Sequence, residues 1–207
     1  MHLYFIRHGE TEFNRLGIVQ GSGVDSDLNE IGRRQAAAFY EYYHQEPFDL
    51  VVTSALKRTH QTAAGFLEKG LPWVIKPEIN EINWGHNEGK PHTAESTAIY
   101  RNVIGEWQKG NFQAAFPGGE SAAALGARLS MFIDWLHTRP ANHLLVVSHG
   151  RTMRALITLL KGKALTEMEG VPHANTACYS ARLNEGKFEF IMENDLRHLD
   201  EKPEIIY

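Results

Sequence analysis

Cysteine occurs once in 207 residues, as Cys178, so no disulfide can close within the chain, and a reducing compartment is expected. Long apolar runs are missing too. Nothing approaches the roughly 20 residues that a membrane-spanning helix needs, so no membrane association is expected. The opening stretch "LYFI" is too short for a secretion signal, and cleavage after it would discard the arginine and histidine that follow. A cytoplasmic protein is expected. Basic residues are not in excess: 21 Lys and Arg stand against 25 Asp and Glu, for a net charge of −4. That excludes a nucleic-acid partner bound through a broad basic face, while leaving room for a small basic pocket. Repeats and low-complexity segments are absent. The length suits one domain, 1–207, and leaves oligomeric state open, a homodimer included.

What is present is a set of short, uninterrupted apolar runs. "HLYFI" (2–6), "LVVTS" (50–54) and "HLLVVS" (143–148) predict buried strands, with "WVIK" (73–76) as a weaker one. "ACYSARL" (177–183) and "KFEFIME" (187–193) flank "NEG" and predict a hairpin. Helices are expected between the strands. The first covers 29–43, capped by Asn29, with Ile31, Gln35, Phe39 and Tyr42 on its buried face. The second covers 55–69, with Ser54 as cap and Gly70 as stop. A third covers 121–137 and a fourth runs from about 150 to Gly162. The alternation predicts an α/β fold, three layers with a largely parallel central sheet. Residues 82–120, rich in Trp, His, Asn, Gly and Pro, break the pattern and read as an inserted cap with one helix near 95–109.

Four titratable residues fall at the carboxyl ends of predicted strands: Arg7, His8, Arg58 and His149. Ligands of open α/β sheets bind at those ends, where helix N-termini add unpaired N–H groups. Two arginines and two histidines there describe a site for a compact dianion, since the guanidinium fork suits phosphate.

"RHGETEFN" (7–14) resembles the signature of the histidine phosphatase superfamily, which includes the cofactor-dependent phosphoglycerate mutases. The likeness continues, in family order, through "QGSGVDSDLNEIGRRQA" (20–36), "TSALKRTHQTA" (53–63), "EINEINWGHNEGK" (78–90), "PGGES" (117–121), "VSHGRTMRAL" (147–156) and "NTA" (175–177). The resemblance implies a phosphoryl-transfer enzyme with His8 as nucleophile and Arg7, Arg58 and His149 around the phosphoryl oxygens. Asn14 and the Gly150 amide would add hydrogen bonds, Glu81 would be the proton donor and later the base, and Gln20 would lie at the pocket edge. A glycine after His8 would let the backbone fold tightly. No metal and no cofactor are implied, because the arginines supply the positive charge.

Within that family two activities compete. Hydrolysis of a small phosphate ester is favoured over mutase chemistry: the chain is short for such a mutase, and 82–118 carries only Lys90, Arg101 and Lys109 as fixed cations for a doubly phosphorylated intermediate. A non-catalytic phosphate-binding module is disfavoured by the presence of His8, Glu81 and His149 together. Several features are expected to be ordinary. Arg151, where relatives carry a small residue, should point outward. His86, His92 and His173 should be solvated loop residues, since their spacing matches no zinc pattern. Trp84, Tyr100, Trp107, Phe112 and Phe116 should form a hydrophobic base under the insertion, and Glu120 and Ser121 should cap the helix after them. Asn87, where relatives often carry Trp, bears on substrate identity.

Overall fold

The computed structural model describes residues 1–199. Six strands form one sheet in the order β3-β2-β4-β1-β5-β6. They are β1 (His2–Arg7), β2 (Leu50–Thr53), β3 (Trp73–Ile75), β4 (His143–Ser148), β5 (Cys178–Asn184) and β6 (Lys187–Asp195). The pairs β1·β4, β2·β4 and β2·β3 are parallel; β5 runs antiparallel to both β1 and β6. The hairpin turns at Glu185 (φ 48°) and Gly186 (φ 77°), two left-handed residues in succession, as a tight two-residue loop demands.

Alternation along β1 sorts its side chains into two cores. Leu3 and Phe5 join a large cluster with α5 (Ala122–His137) and α6 (Gly150–Leu160), while Tyr4 and Ile6 join a second with α2 (Glu30–Tyr43) and α3 (Lys57–Glu68). The sheet is therefore covered on both faces, which is why its central strands are continuously apolar. Residues 82–120 contain a 3₁₀ turn at Gly85–Asn87 and the helix α4 (Ala94–Gln108). This segment contributes Ile82, Trp84, Trp107 and Phe116 to the larger core. Among the described residues no helix is long and apolar enough to cross a membrane.

Two helix readings need correction. In α2 the buried face is Gly32, Gln35, Ala36, Phe39 and Tyr43; Ile31 and Tyr42 are 40% and 49% exposed. Packing at Gly32 sets the rotation, because a Cβ there would lie 2.0 Å from the Glu10 carbonyl oxygen. The short α1 (Glu12–Arg15) lies in the segment between Glu10 and α2. In α3 the cap position is Leu56 rather than Ser54. The Ser54 hydroxyl instead accepts from the Leu56 amide at 3.1 Å and meets His149 Nε2 at 2.8 Å. Of the two residues expected to cap α5, Ser121 does so by accepting from the Ala124 amide, while Glu120 instead pairs with Arg128 at 2.7 Å.

Candidate active site

The sheet register builds the site. Arg7 at the end of β1 lies opposite Ser148 at the end of β4, and the His8 amide donates to the Ser148 carbonyl at 3.0 Å. The next residue on each strand is a histidine, so the His8 and His149 rings come within 5.2 Å, centroid to centroid. His8 lines a cavity of about 460 Å³, with His149 packed beside it.

His8 is 2% exposed, and its Nδ1 meets the Gly9 carbonyl at 2.7 Å. A carbonyl can only accept, so Nδ1 carries the proton and Nε2 keeps its lone pair. Burial, then the charges of Arg58 and Arg7, hold the His8 pKa well below the usual imidazole value. The ring is a neutral base with its free nitrogen at the cavity. Gly9 has a different role from the expected tight fold, since its φ is not left-handed. A Cβ there would meet the Gly32 carbonyl oxygen at 2.5 Å, so close approach of α2 requires the glycine.

Arg7 lines the cavity. One terminal nitrogen donates to the His173 carbonyl at 2.6 Å, and its buried Nε has no partner. Burial lowers its pKa to about 10, so it stays charged at neutral pH. Asn14 closes a capping box with Thr11, accepting through Oδ1 from the Thr11 amide at 3.1 Å, which leaves its NH₂ for the cavity it lines. Gln20 also lines the cavity and accepts from the Thr11 hydroxyl at 3.1 Å.

Glu81 is 6% exposed and takes the place of a missing cap. His149 occupies the N-cap of α6 without a side-chain bond. Glu81 instead accepts from the Arg151 amide through Oε2 at 3.1 Å and from the Thr152 amide through Oε1 at 3.0 Å. The Ile82 amide adds a second bond to Oε1 at 2.9 Å. Oε2 thus has the emptier coordination and is the oxygen that can carry a proton toward the cavity. Gly150, between the histidine and those amides, belongs to the cavity wall.

Arg58 and His149 lie behind that wall, both 0% exposed, rather than in it. Arg58 Nε donates to His149 Nδ1 at 3.1 Å, and its terminal nitrogens donate to the carbonyls of Val24 and Gly21 at 2.7 and 3.2 Å. Because Nδ1 accepts, His149 Nε2 carries the proton and donates to Ser54. The two are thus bonded to one another beside His8, and the charge of Arg58 acts on the His8 ring. The loop carrying Gly21 and Val24 is itself strapped by Glu88, which accepts from the Gly23 and Trp84 amides at 2.7 and 2.8 Å.

The cavity thus gathers an imidazole with a locked tautomer, a buried arginine and a single wall carboxylate. The family profile of the histidine phosphatase superfamily (branch 1) matches residues 3–196. The chain belongs to this superfamily. Phosphoserine phosphatase 1 of Hydrogenobacter thermophilus is 31% identical over 201 residues, covering 96% of this chain and 94% of the relative. A Yersinia pestis protein named probable phosphoglycerate mutase is 34% identical over 78% of this chain and 75% of its own. The crystal structure of the alpha-ribazole phosphatase from Shigella flexneri superposes with a TM-score of 0.84 at 29% identity, covering 94% of this chain and 96% of that one.

This histidine phosphatase site holds residues that sequence reasoning missed. Arg151 does not point outward. It is 7% exposed, lies in the cavity wall, and pairs with Glu169. Arg154 pairs with the same carboxylate at 2.8 Å and donates through Nε to His173 Nδ1 at 3.1 Å. His173 is no solvated loop residue: it lines the cavity, and burial and then Arg7 push its pKa down to about 2. Since its Nδ1 accepts, its Nε2 bears the proton. The one available signal was the spacing of Arg151 and Arg154, three apart on one helix. Their acid, Glu169, lies in a 3₁₀ segment (Leu165–Gly170) with no pattern of its own. The aromatic residues do more than form a base: Trp84, Tyr100 and Phe116 line the cavity, and Trp84 and Phe116 are core as well. Among the described residues no group of three or more His, Cys, Asp and Glu could hold a metal ion, His8, His86, His92 and His173 included.

Two expected outcomes arise here. A Cβ on Gly150 would lie 2.8 Å from His173 Cδ2 and 3.4 Å from Arg7 Cζ. Gly150→Ala should therefore displace Arg7 and its neighbour, costing about 1–3 kcal/mol in denaturant unfolding, with at least a tenfold loss in kcat. A variant with wild-type kcat would remove Arg7 from the phosphoryl contacts.

The second is a pH dependence. His8, His149 and His173 are all neutral in the fold, with pKa values far below the usual 6.5. Below that pH the unfolded chain binds protons that the folded chain refuses, so stability falls as pH falls, and the loss begins near 6.5. Each histidine contributes up to about 1.4 kcal/mol per pH unit once the unfolded form is fully protonated. The thermal midpoint should drop by several degrees between pH 6.5 and 5, and His149→Gln should make that slope shallower. A midpoint that is flat over the interval would contradict the neutral imidazoles.

Proposed function

We propose that the chain is a metal-independent phosphomonoesterase that hydrolyses a small phosphorylated metabolite through a phosphohistidine intermediate. The observation that carries this reading is His8, with Nδ1 engaged by Gly9 and Nε2 without a partner, in a cavity that the buried Arg7 also lines. In the first step Nε2 attacks phosphorus as the ester P–O bond breaks, and Glu81 gives its proton to the departing oxygen. In the second, water attacks the phosphohistidine, Glu81 takes a proton from it, and the P–N bond breaks to release phosphate. The reaction splits one hard displacement into two, each relying on positioning and charge.

Phosphatase-named relatives support hydrolysis, and the mutase-named relative keeps transfer between two positions of phosphoglycerate as the second reading. The observation that weighs against it is the cap's charge. Of its three fixed cations only Arg101 reaches the cavity, and Lys109 pairs with Glu106 at 3.0 Å. Residues 82–120 act as a cap on one domain spanning 1–207, of which 200–207 lie outside the described residues. The protein works in the cytoplasm, and its partner is a small phosphate ester.

The test is phosphate release from p-nitrophenyl phosphate and from 3-phosphoglycerate with catalytic 2,3-bisphosphoglycerate. Free phosphate as the main product supports hydrolysis, and 2-phosphoglycerate in excess would make the enzyme a mutase. Activity should survive EDTA and be inhibited by vanadate, which can occupy the five-coordinate geometry between His8 and the leaving group. Loss on chelation, restored by one metal, would end the metal-free reading.

A further inference from the structure

The turn that precedes β5, residues 173–177, sends only His173 into the cavity wall, yet it holds three residues that line the cavity. Arg7 donates from a terminal nitrogen to the His173 carbonyl at 2.6 Å and from its amide to the Ala177 carbonyl at 3.4 Å. The Thr176 amide donates to the Arg7 carbonyl at 3.1 Å. Asn175 donates through Nδ2 to the His8 carbonyl at 2.9 Å and to Asn14 Oδ1 at 3.4 Å. The Thr11 amide donates to that same Asn14 oxygen, so the Asn14 NH₂ is left for the cavity. The end of β1, the His8 backbone and the orientation of the Asn14 amide are all set from one turn.

The turn is itself held in an unfavourable conformation. Thr176 is buried and has φ 55°, in the left-handed region. A β-branched residue rarely adopts that φ, because its Cβ crowds the backbone, so the surrounding contacts must impose it. The amide bond to Arg7 is one such contact. A second is the Ala177 amide, which closes the turn onto the Ala174 carbonyl at 3.1 Å. The third comes from the residues after β6: Thr176 Oγ1 meets His198 Nε2 at 3.0 Å. His198 is buried edge-on against Phe39 of α2, with ring centres 5.2 Å apart and planes at 90°. Its Nδ1 has no partner among the described residues. Phenylalanine would fill the same apolar place without leaving a buried nitrogen unpaired, so the bond to Thr176 is what the imidazole adds there. The segment that carries it is anchored on both sides. Leu196 packs with Ala174 and Ala177, and Asp195 accepts from the Tyr43 hydroxyl of α2 at 3.2 Å.

We propose that His198 is a positioning residue for phosphoryl transfer: by holding Thr176 in the left-handed conformation it keeps Arg7, His8 and Asn14 in place, although neither His198 nor Thr176 lines the cavity. The route is short. His198 fixes the Thr176 side chain, and the Thr176 amide fixes the Arg7 carbonyl. Asn175, one residue back, fixes the His8 carbonyl and the Asn14 amide. Relaxation of Thr176 to a negative φ would rotate the adjoining peptides and withdraw these donors together. Misplacing reacting groups by about 1 Å costs on the order of 10² in rate. The inference rests on the phosphomonoesterase reading and adds to it a residue that the reaction never touches.

The test couples His198 to Thr176. His198→Phe fills the imidazole's place and removes the bond. Measured well below the melting midpoint, kcat for p-nitrophenyl phosphate should fall by on the order of tenfold. An alkyl phosphate should lose as much, because no proton for the leaving group is involved. His198→Gln, whose amide can reach the Thr176 hydroxyl again, should recover most of the loss. Thr176→Val removes the hydroxyl and keeps the branch, so it should cost about as much as His198→Phe. The double variant should cost no more than either single one, since both break the same bond. Thermal melting checks that each variant is folded. Wild-type kcat in folded His198→Phe, or losses that multiply in the double variant, overturns the proposal. Hydrogen exchange of the Thr176 amide, followed by NMR without ligand, reads the turn directly. It should quicken at least tenfold in His198→Phe, and an amide as protected as in wild type overturns the hold of His198 on the turn. Failure of the wild type to release phosphate from any ester would instead overturn the phosphatase reading, while the exchange measurement still decides that hold.

Discussion

His8→Ala is expected to abolish turnover, lowering kcat by roughly 10⁵–10⁶, the scale of losing a nucleophile from a covalent mechanism. No neighbour can take its place. His149 commits both ring nitrogens to Arg58 and Ser54, and His173 presents a protonated Nε2. The fold should persist. His8 is 2% exposed, and its removal strands the Gly9 carbonyl, a loss of about 1–3 kcal/mol. For a chain of this size that is a drop of several degrees in thermal midpoint. The intermediate supplies a direct check. Wild-type enzyme quenched briefly with labelled substrate should retain label that is lost in acid and stable in base, as a phosphohistidine would. Label with the opposite stability would point to another nucleophile, and retained activity in His8→Ala would sink the mechanism outright.

Glu81→Gln should have the next largest effect, and its size should depend on the leaving group. An alkyl phosphate departs as a strongly basic alkoxide that needs a proton, so its cleavage should fall by roughly 10²–10⁴. p-Nitrophenolate is a weak base and leaves unaided, so the first step should slow far less with that ester. The second step still lacks its base. A burst of p-nitrophenol followed by a slow steady state is therefore expected in stopped flow. The surroundings of Glu81 add a control. Glutamine keeps an acceptor for Ile82 and Thr152 but sets an NH₂ against the Arg151 amide, 3.1 Å from Oε2 in the wild type. Some destabilisation will follow, but distortion alone would slow both esters alike. Equal losses without a burst would remove Glu81 from the acid role. The structure leaves little to replace it. Glu88 is held by the Gly23 and Trp84 amides, Glu120 by Arg128, and Glu10 by Asn29 at 2.7 Å, and none of them lines the cavity.

The reading from sequence succeeded where the signal is local. The strands ending at Arg7, Thr53 and Ser148 are short apolar runs, the helix caps Asn29 and Ser121 act within three residues, and the hairpin turn needs left-handed residues in succession. These features depend on backbone preference and on burial of a continuous apolar stretch, both written into adjacent residues. Placing Arg7, His8, Arg58 and His149 near one another followed from the rule that parallel strands gather their carboxyl ends on one edge.

It failed where a partner is distant. Ser54 looked like a helix cap, but its hydroxyl serves a histidine 95 positions away. Ile31 and Tyr42 fit a helical stripe, yet the contact of Gly32 with Glu10 turned that face outward. That Arg58 and His149 hold one another beside His8 could not be read from residues 91 positions apart. Arg151 was expected in solvent, and the cap folds over it with Tyr100 and Glu169. The sequence by itself determined the layers, the strand ends and the identity of the reactive groups, because these rest on short-range periodicity and on chemistry carried by single side chains. The tertiary structure alone decided which groups face the cavity and which stand behind it. That choice is made by hydrogen bonds and ion pairs between residues tens of positions apart, whose geometry exists only once both cores have closed.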